Sequence, residues 1–221
     1  MNAPHIAVVD YGMGNRRSVQ KALEHVGAIA TITSDPERIR AADGLVVPGV
    51  GAFPRAMRNL AELGLVDTLC ERAGEGVPVL GICLGMQLLF ERSEELDGAP
   101  GLGLLAGEVT RLRAGGLRIP HIGWNEVAFE RECALANGLP SAGAPFYHVH
   151  SYAARPANPG DVVGTTEYGE RFATFVAREN LFGVQFHPEK SSGVGLALLA
   201  NFAHVCGLQL GAGAAATTAR A

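Results

Sequence analysis

The first hundred residues alternate between short apolar runs and segments with helical spacing. The run from His5 to Asp10 is rich in β-branched residues, and after a glycine loop apolar residues recur at Val19, Leu23 and Val26. The same rhythm of strand and helix is repeated by apolar runs at 28–34, 44–50 and 78–83. Strands without polar alternation that are separated by helices indicate a parallel sheet covered on both faces. One long helical segment is predicted before the fourth strand and one, at 84–95, after it.

From residue 108 onward polar and apolar residues alternate, which predicts antiparallel or mixed strands. The last apolar helix is expected at roughly 195–206, where it returns to cover the sheet. The chain is therefore predicted to be α/β, a single domain over 1–208 with a central mixed, largely parallel sheet and helices on both faces. Residues 209–221 are glycine- and alanine-rich and are expected to form a disordered tail.

Composition and charge narrow the possible classes of function. The net charge is -4 and no cluster of Lys or Arg is present, so nucleic acid is not an expected partner. The stretch 191–219 carries no formal charge, but Asn201, His204 and Gln209 interrupt it, so a packed helix is expected rather than a membrane span. No export signal is recognised at the start. Four cysteines without close spacing indicate reduced thiols and a cytoplasmic location.

The sequence GICLG, at 81–85, has the residue types of a nucleophile elbow, in which a strand turns directly into a helix. Cys83 would then lie at the apex of the turn, and the positive end of the following helix would favour its thiolate. The alternative for any single cysteine is a buried structural thiol, which is the interpretation we give to Cys70, Cys133 and Cys206. The elbow sequence makes Cys83 the candidate nucleophile.

A base for this nucleophile is present in QFHPEK, at 185–190. His187 ends an apolar strand, and Pro188 stops the strand, so the imidazole is expected at the edge of the sheet where Cys83 also lies. Glu189 is two residues further and shares a face with His187 in an extended segment, so its carboxylate can orient the ring. The three residues predict a catalytic triad in the order Cys, His, Glu.

Attack on a carbonyl group creates an oxyanion, which backbone N–H groups must stabilise. In sheets of this kind one donor follows the nucleophile, here Leu84, and another lies in the loop after the third strand. That loop contains Val50 and Gly51 as candidate donors, and Gly49 and Gly51 allow its amides to turn inward. An ordinary tight turn is the alternative interpretation.

Several of these stretches together resemble the class I, or triad, glutamine amidotransferases. Within that family the chain is similar to the glutaminase subunits of imidazole glycerol phosphate synthases. The resemblance covers nearly all of the chain except the tail, in the stretches DYGMGN (10–15), PGVGAF (48–53), GICLGMQLLFE (81–91), PHIGWN (120–125), YHVHSY (147–152) and QFHPEKS (185–191). A glutaminase of pyridoxal phosphate synthase, the nearest rival, would carry a GGES-like loop that this chain lacks.

The resemblance implies that Cys83 attacks the side-chain amide of glutamine, His187 moves the proton to ammonia and Glu189 orients His187. It implies that the substrate is held by Gln87, His150, Ser151 and Tyr152, with the Gly49–Gly51 loop nearby. It also implies a heterodimer with a (β/α)₈ barrel cyclase, which channels the ammonia through its interior to form imidazole glycerol phosphate and an aminoimidazole carboxamide ribotide in histidine biosynthesis.

The resemblance also places residues at the partner surface and contains one departure. Asn15, Trp124 and Lys190 match positions that such a subunit turns toward the cyclase. Arg16 stands where an apolar residue is expected, which affects local loop contacts. No cofactor or metal is implied.

Three other interpretations remain open at this stage. His148, His150 and His187 could form a three-histidine metal site, although the cysteine elbow would then be unexplained. A cysteine peptidase of similar architecture would use the same nucleophile and base. An inactive binding module is disfavoured because nucleophile, base and orienting carboxylate are all present.

Overall fold

The structure is a computed structural model that describes residues 3–218, with side chains described up to Leu208. Its helices are α1 (Arg16–His25), α2 (Pro36–Arg40), α3 (Phe53–Glu62), α4 (Leu65–Gly74), α5 (Leu84–Leu88) and α6 (Ser192–Thr218). Its strands are β1 (His5–Val9), β2 (Ile29–Thr33), β3 (Gly44–Gly49), β4 (Val79–Cys83), β5 (Phe90–Ser93), β6 (Ala99–Pro100), β7 (Leu105–Arg111), β8 (His121–Phe129), β9 (Ala144–His150), β10 (Tyr152–Pro156), β11 (Val162–Glu167), β12 (Arg171–Arg178) and β13 (Leu181–Val184).

The main sheet has nine strands in the order β2-β1-β3-β4-β13-β12-β11-β8-β9. The four pairings from β2 to β13 are parallel. The four pairings from β13 to β9 are antiparallel. The predicted α/β fold with a mixed sheet is therefore confirmed, and its parallel half carries the elbow. A second sheet, in the order β10-β7-β5-β6, was not predicted.

Helices cover both faces of the main sheet, as predicted. In β1, Ile6 and Val8 contribute to one hydrophobic cluster, which also contains Phe202 of α6. The intervening Ala7 and Val9 contribute to the other cluster, which also contains Leu60 of α3. Successive side chains of a strand point to opposite faces, so a continuous apolar run buries itself on both sides. This burial fixes the parallel strands whose carboxyl ends carry the site.

The helix predicted at 84–95 is wrong in its second half. Helix α5 ends at Leu88, and Phe90 begins β5, which pairs with β7. The carbonyl groups of Leu88 and Leu89 accept the N–H groups of Leu102 and Leu105, at 2.8 and 2.9 Å. In a longer helix these two carbonyl groups would accept N–H groups of the next helical turn. Here they accept N–H groups from a distant part of the chain instead, so the helix ends.

Two other helix predictions also differ from the structure. The single long segment predicted before β4 is two helices, α3 and α4, because Gly64 adopts a left-handed conformation with φ of 65° between them. Helix α6 runs from Ser192 to Thr218, which is longer than the helix expected at roughly 195–206, while the disorder expected for residues 209–221 stays a prediction. Alanine has the highest helix propensity, which explains the continuation. Residues 219–221 lie outside the described residues, and the domain boundary at 208 stays a prediction.

Helix α6 is long and contains no Asp, Glu, Lys or Arg. Within residues 3–218, no helix combines the length and the apolar character needed to cross a bilayer.

Candidate active site

Cys83 lies at a sharp turn between β4 and α5, as the elbow sequence predicts. Its backbone angles are φ 54° and ψ -109°, which a residue with a side chain rarely adopts. The turn requires glycine on both sides of the cysteine. A Cβ atom on Gly81 would lie 2.5 Å from the Gly85 carbonyl oxygen, and one on Gly85 would lie 1.7 Å from the Val47 carbonyl oxygen. The strain presents the sulfur at the carboxyl edge of the sheet.

The candidate oxyanion segment lies beside the elbow. In the pairing of β3 with β4, Gly49 is the partner of Cys83. The hydroxyl of Tyr11 donates a hydrogen bond of 2.6 Å to the carbonyl oxygen of Pro48 and so holds the start of this segment. Gly51 has φ of +116°, and Val50 is partly exposed. The structure therefore brings Gly49, Val50 and Gly51 next to Cys83, as expected from the sequence.

His187 and Glu189 form a buried pair close to the elbow. The Nδ1 atom of His187 lies 2.9 Å from Glu189 Oε1, and the exposed fractions of the two side chains are 2% and 0%. The turn at Pro188–Lys190 folds the carboxylate back onto the ring. Because a carboxylate can only accept, Nδ1 carries a hydrogen, and Nε2 is the nitrogen without a hydrogen in the neutral ring.

The charges around His187 favour its protonated form. Burial by itself lowers the pKa of His187, but the thiolate of Cys83 and the carboxylate of Glu189 outweigh burial and raise that pKa to about 10. Nε2 is buried and makes no hydrogen bond of ordinary geometry within the described residues. Val184 of β13 pairs with Ile82 of β4, so the segments that carry His187 and Cys83 leave the sheet at the same edge. The arrangement can therefore hold a thiolate beside an imidazolium.

A cavity of about 220 Å³ opens over the sulfur. Ligand pockets for drug-sized molecules measure roughly 300–1,000 Å³, so this one suits a smaller compound. The residues that line it are Val50, Gly51, Cys83, Leu84, Gln87, Glu95, Pro120, Val149, His150, Ser151 and Tyr152. All the residues predicted to bind substrate line this cavity except Gly49, which lies beside Cys83 in the sheet.

The histidine pair His148 and His150 belongs to a buried cluster with His121. Nδ1 of His121 lies 3.1 Å from Nε2 of His150, and Nδ1 of His150 lies 2.9 Å from the Tyr152 carbonyl oxygen. In His148, Nδ1 is hydrogen-bonded to the Phe146 carbonyl oxygen and Nε2 is hydrogen-bonded to the Thr174 hydroxyl group. These bonds occupy both ring nitrogens of His148 and His150.

Burial lowers the pKa of all three clustered rings, to about 4 for His121, about 2 for His148 and about 3 for His150. The three rings are therefore neutral near pH 7. Among residues 3–218, no group of three or more histidine, cysteine, aspartate or glutamate side chains is arranged to hold a metal ion. With the nitrogens of His148 and His150 already bonded, the three-histidine metal interpretation finds no support.

Of the three residues predicted at the partner surface, two lie beside Tyr147 and one lies beside Glu189. Trp124 is 53% exposed, and its ring packs edge-on against Tyr147 at 6.3 Å. The Nζ atom of Lys190 lies 5.7 Å from the centre of the same Tyr147 ring. Asn15 instead points inward, with Nδ2 3.5 Å from Glu189 Oε1. Their role in a partner interface stays a prediction.

Arg16, the departure noted in the sequence, forms an ion pair with Asp10. The same Asp10 oxygen accepts the N–H of Gly12 at 3.0 Å. The loop between Asp10 and Arg16 packs on the candidate oxyanion segment, because a Cβ atom on Gly14 would lie 3.0 Å from the Pro48 carbonyl oxygen. Arg16 therefore stabilises this loop through a partly exposed pair.

Comparison with known proteins settles which family has this site. The sequence model of the glutamine amidotransferase class-I family matches residues 7–206. The chain belongs to the class I glutamine amidotransferase family. Among curated proteins, it is 57% identical over 197 residues to the "Imidazole glycerol phosphate synthase subunit HisH" of Moorella thermoacetica, with 89% of this chain and 93% of that protein covered. The protein of the same name from Bacillus cereus is 54% identical over 198 residues, with the same coverage.

Solved structures confirm that the fold is that of the family. A "glutamine amidotransferase" crystal structure matches with a TM-score of 0.72 at 23% identity, covering 91% of this chain and 98% of that one. The structure of PurLQS from Thermotoga maritima matches with a TM-score of 0.73 at 19% identity, covering 92% of this chain and 99% of that one. The resemblance stated from the motifs is thereby confirmed at the level of family and fold.

In this class I amidotransferase site, sequence reasoning missed Gln185, Glu95 and Val149. Gln185 is fully buried, and its Nε2 lies 3.6 Å from the sulfur of Cys83. The alternation of a strand gave a usable signal, because position 185 shares a face with His187. Glu95 lines the cavity only because β5 replaces the predicted helix, and no sequence signal indicated it.

Proposed function

We propose that the chain hydrolyses the side-chain amide of L-glutamine to glutamate and ammonia. The observation that carries the proposal is the strained Cys83 elbow beside the buried His187–Glu189 pair, at the floor of a small cavity. The high identity to HisH subunits supports glutamine as the substrate. This geometry supports the catalytic roles that we propose for Cys83, His187 and Glu189.

The first half of the reaction forms a thioester. The thiolate of Cys83 attacks the amide carbon of glutamine, and the carbonyl oxygen becomes an oxyanion. The N–H groups of Leu84 and of Val50 or Gly51 are proposed to stabilise it. When the intermediate collapses, the carbon–nitrogen bond breaks and the proton on His187 passes to the departing ammonia. His187 acts here as a general acid, and Glu189 holds its ring.

The second half of the reaction restores the enzyme. Neutral His187 accepts a proton from water, whose oxygen attacks the thioester carbon. The carbon–sulfur bond breaks, glutamate leaves and the thiolate of Cys83 forms again beside protonated His187. The raised pKa of His187 agrees with this charged resting pair.

The cavity offers groups for both ends of an amino acid. Glu95 supplies a carboxylate that we assign to the α-ammonium group of glutamine. The segment His150–Tyr152 and Gln87 form the remaining wall and are assigned to hold the substrate in place. Together they would fix the amide carbon over the sulfur of Cys83, which is the positioning that raises the rate of such reactions.

We further propose that the ammonia passes to a (β/α)₈ barrel cyclase, which forms imidazole glycerol phosphate and an aminoimidazole carboxamide ribotide. Free ammonia is mostly protonated near neutral pH and is then not nucleophilic, so it must be delivered out of contact with water. The exposed Trp124 and Lys190 beside Tyr147 are the residues we assign to this interface. The free thiols at all four cysteines agree with a reducing compartment such as the cytoplasm.

The test is Cys83→Ala in a complex with the cyclase of a HisH-containing synthase. Glutamine-dependent synthesis should be lost, because the nucleophile is absent, while synthesis from added ammonium salt should continue. Cys70→Ala is the matched control, since Cys70 lies in α4 outside the cavity, and it should retain both activities. Loss of both activities in Cys83→Ala alone would contradict the proposal.

A further inference from the structure

The sulfur of Cys83 lies between one hydrogen-bond acceptor and one donor. The carbonyl oxygen of Val149 is 3.7 Å from Sγ and can accept the S–H of the neutral thiol. The side-chain Nε2 of Gln185 is 3.6 Å from Sγ and can donate to the sulfur. Both distances are within the range of hydrogen bonds that involve sulfur. The two neighbours therefore favour different protonation states of Cys83.

The orientation of the Gln185 amide is fixed by a chain of hydrogen bonds. Gln87 Nε2 lies 3.1 Å from the Tyr152 carbonyl oxygen, which can only accept, so the NH₂ group of Gln87 must face it. The same NH₂ group donates to Gln185 Oε1 at 2.9 Å. Since the oxygen of Gln185 faces Gln87, its NH₂ group faces Cys83. A flipped Gln185 would set two NH₂ groups against each other.

Burial stabilises this series of hydrogen bonds. Gln185 is 0% exposed, so water does not compete for its amide group, and Gln87 is 5% exposed where it borders the cavity. The backbone N–H of Gln185 donates to the Thr174 carbonyl oxygen at 2.8 Å, which anchors the residue to the neighbouring strand β12. A buried amide that serves only packing would cost free energy compared with an apolar side chain of the same size.

We propose that Gln185 is a catalytic residue that donates a hydrogen bond to the thiolate of Cys83, and that Gln87 orients it for this purpose. The proposal rests on the proposed glutamine hydrolysis. When the thiol loses its proton, the Val149 carbonyl oxygen no longer accepts and instead repels the negative sulfur. The hydrogen bond from Gln185 becomes charge-assisted at the same moment and offsets this repulsion.

Gln185 differs from His187 in that it keeps its donor through the whole reaction. His187 gives its proton to ammonia and is neutral when the thioester is hydrolysed. The sulfur then leaves as a thiolate, and the amide of Gln185 is already in place to stabilise it. Loss of Gln185 should therefore slow both the attack of Cys83 and the release of glutamate.

The test measures how the alkylation of Cys83 by iodoacetamide depends on pH, in the full chain without substrate. Mass spectrometry follows the peptide that carries Cys83, and Cys70 and Cys133 serve as internal controls. The other titratable groups around the sulfur are His187, Tyr11, Glu189, Glu95 and His150. The wild-type protein and every variant in this test keep these groups.

The methionine side chain has a length similar to that of glutamine but no N–H donor. In Gln185→Met the pH midpoint for alkylation of Cys83 should therefore rise by about one unit. That shift corresponds to the loss of one hydrogen bond to a charged group. With the cyclase present, kcat for glutamine should fall about tenfold with little change in KM. Gln87→Met should shift the midpoint less and in the same direction. Gln20→Met, the same change at a glutamine that bonds only to Ala30, should leave the midpoint unchanged.

The proposal would be overturned if the pH midpoint for alkylation of Cys83 were unchanged in folded Gln185→Met. It would also be overturned if this variant had a raised KM for glutamine and a normal kcat. If that variant does not fold, Gln185→Asn withdraws the amide from the sulfur by one methylene group, and the same outcomes apply to it. Because alkylation is measured without glutamine, a shifted midpoint supports Gln185 even if wild-type protein fails to hydrolyse glutamine. That second failure would refute the proposed function alone.

Discussion

Substitution of Gly85 by alanine tests whether the close approach of α5 to β3 creates the site. A Cβ atom at this position would lie 1.7 Å from the carbonyl oxygen of Val47 and 2.7 Å from its carbon. Real Cβ atoms essentially never come nearer than 3.0 Å to another heavy atom, so the two elements must separate by at least 3.0 − 1.7 = 1.3 Å. Because the obstacle is backbone, no change of rotamer relieves the clash.

This separation should affect both stability and activity. Overpacking of a core typically costs about 1–3 kcal/mol, and a backbone clash belongs at the upper end. For a chain of this size, ~3 kcal/mol corresponds to a fall in Tm of roughly 6–12 °C. Val47 lies two residues before Gly49, so the same movement displaces the candidate oxyanion segment relative to Cys83. A displacement of about 1 Å can cost ~10²-fold in rate.

The assay combines thermal unfolding by circular dichroism with glutaminase turnover in the presence of the cyclase. Gly74→Ala is the matched control, because Gly74 ends α4 and a Cβ atom there would meet nothing within 4 Å. The control should keep full activity and an equal or slightly higher Tm. If Gly85→Ala behaves like Gly74→Ala in both measurements, the close approach does not define the site and the reasoning is refuted.

Two further predictions concern charges near the site. Because the pKa of His187 is raised from 6.5 to about 10 in the fold, its stabilisation is complete below pH 6.5 and is lost as the pH rises through about 10. Glu189→Gln should therefore lower Tm more at pH 6 than at pH 10, and an equal loss at both would contradict this assignment. Arg16→Ala should lower the stability to urea by less than about 1 kcal/mol, since the pair with Asp10 is partly exposed; a larger loss would show that the loop depends on it.

Much of the chemistry was predictable from short stretches of sequence. The elbow at Cys83 and the pair of His187 and Glu189 are local patterns, since each depends on residues only two apart. The parallel half of the sheet was also predictable, because apolar runs without alternation bury both faces. The helices on each face follow from the same pattern.

The sequence alone determined the class of fold and predicted the candidate nucleophile, its base and the orienting carboxylate, because turn geometry and hydrophobic periodicity act over a few neighbouring residues. Only the tertiary structure decided that Phe90 begins a strand, that Glu95 reaches the cavity and that the Gln185 amide points at the sulfur. These features depend on groups far apart in the chain, such as Leu102 bonding to Leu88 and Gln87 bonding to Gln185. A buried hydrogen bond between distant residues has no periodicity of its own, so it becomes visible only when the chain is folded.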